Sequence, residues 1–94
     1  MKGSIETALM LFKVAIGVTH DKRDTYFRSK LRADAAELEG RGVHLDLNET
    51  EDSVLLADYS EFNYRNRDGE KSIPQNLDIR IRNRKAKGRA NHVT

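Results

Sequence analysis

The chain has 94 residues, enough for one small domain, and it contains no Cys, which excludes disulfides, thiolate metal sites and cysteine nucleophiles. Charged residues make up 34% and hydrophobic residues 37%, a polar balance for so small a domain and one that points to partners as a source of stability. The charge is polarised: residues 1–79 hold 11 Lys/Arg against 15 Asp/Glu, a net of −4, whereas residues 80–94 hold 6 Lys/Arg and no acid, a net of +6. An acidic body with a basic end suits contact with an anionic surface, either nucleic acid or the acidic face of another protein, a second copy included.

Ile5, Ala8, Leu9, Phe12, Ala15 and Ile16 follow the spacing of one helical face, which predicts a first helix over 4–16 with Ser4 as N-cap and Gly17 as its end. Met10, Leu11, Val14 and Val18 lie off that face. A helix apolar nearly all round is covered on two sides, and Met10, Leu11 and Val14 are accordingly candidates for contact with another subunit. The alternative is a neighbouring helix of the same chain. The run Ala8–Val18 is broken by Lys13 and falls short of the ~20 apolar residues that a membrane-spanning helix needs. No cleavage site after a clean apolar core marks a signal peptide, so neither membrane insertion nor secretion is expected, and the lack of Cys fits a reducing cytoplasm.

A second helix is predicted over 21–40, with Asp21 and Asp24 favouring its positive end and Gly40 and Gly42 closing it. Its stripe, Phe27, Leu31, Ala35 and Leu38, is narrow and flanked by Asp34, as in an outer helix. Val43, Leu45 and Leu47 alternate with His44 and Asp46, predicting a short extended segment. Asn48 and Glu51 resemble a capping box opening a third helix over 49–66, with Glu49, Glu51 and Asp52 in its first turn. Leu55, Tyr59 and Phe62 form its stripe. Tyr64 falls outside that stripe, and Arg65 and Arg67 beside it could pair with acids such as Asp58 or Glu61, since side chains three or four residues apart meet on a helix. Tyr64, Arg65 and Arg67 are therefore further candidates for a partner surface. Asp68-Gly69 then makes a turn.

Two patterns compete after Pro74. Leu77, Ile79 and Ile81 alternate with Asp78, Arg80 and Arg82, as in a strand with one basic face. A helix would instead use Ile73, Leu77 and Ile81, begin at Pro74 and run into Lys85, Ala86 and Lys87; this reading is preferred. The fold class is thus mainly α, a small bundle of three to four helices with a short extended segment and a basic C-terminal tail. The domain spans residues 1–84 and the flexible tail 85–94.

No complete metal or cofactor site is present in the sequence. His20 and Asp24 stand four apart, but catalytic zinc needs three protein ligands, and there is no phosphate loop or nucleophile elbow. An enzyme is not expected. The strongest contact candidates are Arg80, Arg82, Arg84, Lys85, Lys87 and Arg89, which could neutralise phosphates. No aromatic lies beyond Tyr64 to serve as a stacking platform, which disfavours sequence-specific binding.

Taken in order, Ile16-Gly17-Val18-Thr19, the Asp-Lys-Arg-Asp helix start at 21–24, Gly-Val followed by Leu-Asp-Leu, Asp58-Tyr59, Tyr64-Arg65-Asn66-Arg67-Asp68 and Pro74-Gln75-Asn76-Leu77 resemble the small head-tail connector proteins of tailed bacteriophages, also called head-completion or adaptor proteins. The likeness covers about residues 5–85. It implies a small helical bundle without enzymatic activity, assembled as a ring that matches the symmetry of the portal above it and extends the DNA channel. Expected partners are further copies of the chain, the portal protein, a downstream neck or tail-completion protein and, without sequence preference, DNA in the channel. The resemblance places the protein in the virion neck, and in the host cytoplasm during assembly, with the helices making subunit contacts and the segment after Pro74 reaching the portal or a neighbouring copy. The main alternative is a small nucleic-acid-binding regulator that grips phosphates through its basic end. A toxin or antitoxin-like partner whose tail folds on binding also fits the charge polarity.

Overall fold

In the computed structural model the backbone is described for residues 1–93 and the side chains for residues 1–88. Four helices follow one another: α1 (Glu6–Ile16), α2 (Asp24–Gly40), α3 (Thr50–Arg65) and α4 (Gln75–Val93). Helix α3 is the hub, packing against each of the other three, while α1 and α2 also pack on one another. The predicted helical bundle is therefore the observed fold, and the described residues contain no strand.

The α1 stripe closes the core as its spacing requires, with Ile5, Ala8, Leu9 and Phe12 buried. Ser4 Oγ accepts the Glu6 N–H at 3.2 Å, and Gly17 ends the helix in the left-handed region at φ 77°, where a missing Cβ removes the steric penalty. Opposite lie Phe27, Leu31 and Leu38 of α2. Phe12 meets Phe27 edge-on at 5.2 Å and Tyr64 at 5.7 Å, the geometry that brings the positive ring edge to the negative face. Ion pairs from Lys13 to Asp24 at 2.8 Å and from Arg28 to Glu6 at 2.9 Å brace the α1–α2 edge.

Val43, Leu45 and Leu47 are buried, confirming the alternation in this extended segment. The residue that pairs with it was not foreseen: Lys2 donates its N–H to the Leu45 carbonyl at 3.1 Å and accepts from the Leu47 N–H at 2.7 Å. Gly3 makes this approach possible. Its φ is +84°, and a Cβ there would stand 2.8 Å from the Asn48 nitrogen.

Two local expectations are corrected. Asn48 and Glu51 form no capping box: the α3 cap is Glu49 without a side-chain bond, and the Asn48 N–H turns back to Asp46 Oδ1 at 3.0 Å, the local turn that Asp side chains favour. Helix α2 starts at Asp24 rather than Asp21, because Asp21 lies in a turn whose carbonyl takes the Asp24 N–H at 3.1 Å.

The segment after Pro74 is a helix. Leu77 and Ile81, four residues apart, are buried, while Ile79 between them is 45% exposed, as a 3.6-residue period demands and a two-residue period forbids. Helix α4 runs to Val93 without a break near residue 84. Among its described side chains only Leu77 and Ile81 enter the core, so its apolar anchoring is confined to its first half.

Candidate functional site

The candidate contact residues separate into three groups. On α1, Met10 is 60% and Val14 75% exposed, side by side on the outside of the helix. Leu11 does not belong with them: it is half-buried against the core. The helical turn of about 100° per residue carries it away from Met10 toward the bundle, whereas Val14, four residues on, returns to the Met10 side.

At the end of α3, Tyr64 is half-buried and its ring joins Phe12 and Phe27, the latter at 6.2 Å, so its main contacts are within the chain. Arg67 covers it from outside, the guanidinium 4.7 Å from the ring centre, and Arg23 stacks similarly on Tyr26 at 4.8 Å. Arg65 pairs with Glu61 at 2.9 Å and donates to the Ala15 carbonyl at 2.9 Å, satisfying one of the open carbonyls at the end of α1. Asp58 is not its partner.

The third group, the cations of α4, differs most from the sequence reading. Arg80 pairs with Asp58 of α3 at 2.8 Å and Arg82 with Asp78 of its own helix at 3.0 Å. Arg84 lies inward. Its Nε and Nη2 donate to the two carboxylate oxygens of Asp52 at 2.8 and 3.0 Å, and Nη2 also donates to the His44 carbonyl at 2.8 Å. Asp52, only 3% exposed, accepts the Asp46 N–H as well at 2.8 Å, so one carboxylate joins α3, α4 and the extended segment. The hydrogen bond to Asp52 raises the Arg84 pKa, outweighing an opposing effect of burial, and fork geometry makes such bidentate pairs strong. The Lys85 side chain passes close over Gly42, its Cε 3.1 Å from where a Cβ would stand. Lys87 lines a groove, and the Arg89 side chain lies outside the described residues. Among the described residues, three of the five cations expected to form a basic face on α4 are thus paired with carboxylates of the chain itself.

That groove, about 380 Å³, runs between α3 and α4, with Thr50, Glu51, Asp52, Val54 and Leu55 on one side and Arg80, Asn83, Arg84 and Lys87 on the other. Its walls are chiefly aliphatic, since the long cationic side chains contribute their stems.

Sequence reasoning assigned Asp52 to the helix dipole and missed its buried role. A signal was present, for Asp52, Leu56, Tyr59 and Asn63 recur at i, i+4, i+7 and i+11, which puts Asp52 on a buried face. The same holds for Asp34, 7% exposed, which pairs with Lys30 at 3.4 Å and accepts from Asn63 Nδ2 at 3.2 Å. His20 and Asp24 do not converge: His20 Nδ1 accepts the Lys22 N–H while Asp24 holds Lys13. Among the described residues no group of three His, Cys, Asp or Glu could hold a metal ion, and no helix is long and apolar enough to cross a membrane. No protein-family model matches the chain, and neither a curated protein nor a solved structure does.

Proposed function

We propose that the chain is a structural head-tail connector of a tailed bacteriophage, assembling as an oligomeric ring below the portal that extends the DNA channel and joins head to tail. Its partners on this reading are its own copies, the portal protein and the next neck or tail-completion component. It works in the virion neck after assembly in the host cytoplasm, and it performs no chemistry. The ordered motifs from Ile16 to Leu77 and the small helical bundle are both consistent with this reading.

The observation that carries it is the exposure of Met10 and Val14, 60% and 75%, on the outside of a bundle whose core is complete without them. Covering the exposed part of each such side chain favours an assembly by about 1–2 kcal/mol, a gain unavailable to an isolated chain. The cations of α4 weaken the alternative of a nucleic-acid regulator. Arg80, Arg82 and Arg84 already pair with Asp58, Asp78 and Asp52, so phosphates would have to displace carboxylates that cost nothing to bring near.

Co-expression with a portal protein of a tailed bacteriophage, followed by sedimentation, tests the proposal. The chain should co-migrate with the portal as a ring-sized complex and bind duplex DNA weakly at physiological salt. A monomer that ignores the portal but binds a particular duplex sequence tightly would refute it.

A further inference from the structure

Helix α4 packs on α3 and on no other helix. Among the described residues, every buried hydrophobic side chain except Leu77 and Ile81 lies between Ile5 and Tyr59, so α1, α2, α3 and the extended segment close a core of their own and α4 lies along its outside. The α3–α4 seam is open over much of its length. Besides the groove beside Val54 and Leu55, a second of about 300 Å³ separates Asp58 and Phe62 of α3 from Pro74, Leu77 and Arg80, and Arg80 lines both. A seam bordered by open space makes fewer van der Waals contacts than a close-packed interior. The link from α3 adds little restraint: residues 67–72 are exposed, and the hydrogen bonds there are local, from the Gly69 N–H to the Asn66 carbonyl at 3.0 Å and from the Glu70 N–H to Asp68 Oδ1 at 3.2 Å. Beyond Ile81 the attachment is polar, with Arg84 forked on Asp52 and bonded to the His44 carbonyl.

From this we infer that α4 is a strap that opens as one unit about residues 67–73 while α1, α2 and α3 stay folded, with the Arg84–Asp52 pair as its latch. Segments held by few buried apolar contacts open below the free energy of global unfolding, and here two such side chains and one buried ion pair hold the helix. Opening uncovers Leu55 of α3 and parts Arg80 and Arg84 from Asp58 and Asp52 together. The closed strap therefore masks its own cations. Once open, residues 75–88 carry Arg80, Arg82, Arg84, Lys85 and Lys87 with Asp78 as their one acid, so the strap switches between a paired and a basic helix. The device belongs to the isolated chain and goes beyond the connector reading without depending on it.

Hydrogen exchange of the full chain, followed amide by amide by NMR, tests the strap, because amides that open together share one opening free energy. Those of Ile79 to Arg84 should share one protection factor, at least about tenfold below that of the slowest α3 amides. Ile5→Val, a mild truncation of a buried side chain, should speed the slowest α3 amides about two- to tenfold and leave the α4 amides unchanged, since Ile5 keeps its contacts in the open form. Arg84→Ala removes the latch and should speed the α4 amides at least about tenfold, with Arg84→Lys in between. Equal protection of α3 and α4, with both responding alike to Ile5→Val, would mean one cooperative unit and overturn the inference. Protection that declines steadily from Ile79 toward the end of the helix, the pattern of fraying, would overturn it too, as would α4 amides that exchange at the wild-type rate in Arg84→Ala.

Discussion

Replacing Arg84 with Ala tests how α4 is held. The change removes both hydrogen bonds from Arg84 to Asp52 and leaves that carboxylate, 3% exposed, with the Asp46 N–H as its remaining donor. Breaking a fully buried ion pair by deleting one partner costs about 3–5 kcal/mol. Here the Arg84 side chain is 19% exposed, so water can reach the stranded carboxylate in part, and the expected loss is about 2–3 kcal/mol. For a domain of this size that corresponds to a fall of about 10–20 °C in Tm. Arg84→Lys keeps the charge without the fork and should fall between wild type and Ala. The control is Arg80→Ala: its pair with Asp58 is 42% and 40% exposed and is worth about 0–1 kcal/mol. Urea and thermal unfolding followed by circular dichroism read both variants. If Arg84→Ala proves no more destabilising than Arg80→Ala, Asp52 is not the joint between α3, α4 and the extended segment.

Further outcomes follow from the packing and the titrating groups. Phe12→Ala empties the centre of the aromatic cluster and should cost about 3–5 kcal/mol in urea unfolding, whereas Val14→Ala, at 75% exposure, should stay within about 0.5 kcal/mol. Gly3→Ala forces a Cβ against the Asn48 nitrogen at positive φ and should lower Tm while releasing the Lys2 hydrogen bonds, seen as faster amide exchange at Leu47. Burial, reinforced by its hydrogen bond to Glu37, pushes the Tyr59 phenol from 10.0 up to about 12. The unfolded chain therefore loses this proton first, and stability held below about pH 10 declines as pH rises toward 12; Tyr59→Phe should flatten that alkaline limb. Burial opposes the charged form of Glu39, but hydrogen bonds from His44 and the N-terminal ammonium outweigh it and hold its pKa below 4.5. Its contribution is present above that value and lost as pH falls through the lower folded one, so Glu39→Gln should flatten the acid limb.

The sequence by itself determined where α1, α2 and α3 lie, because the stripes through Phe12, Leu31 and Leu55 repeat at the helical period and burial of a stripe depends on nothing beyond that period. It also determined that Val43, Leu45 and Leu47 share one side of an extended segment, and that Met10 and Val14 stand off the α1 core face. Tertiary structure decided the rest. Leu77, Ile79 and Ile81 fit periods of two and of 3.6, and the choice fell to α3, whose surface takes Leu77 and Ile81 together and leaves Ile79 outside. Leu11 lies at an angle that a neighbouring helix could cover or leave open, and the bundle covers it in part. The basic end showed only its charge in the sequence, since a row of Arg residues carries no sign of which acids will face it. Arg80 and Asp58 are 22 residues apart and Arg84 and Asp52 are 32 apart. Whether these arginines face solvent or hold the chain together depends on pairings across that separation, which local periodicity does not encode and only the packing of α4 on α3 creates.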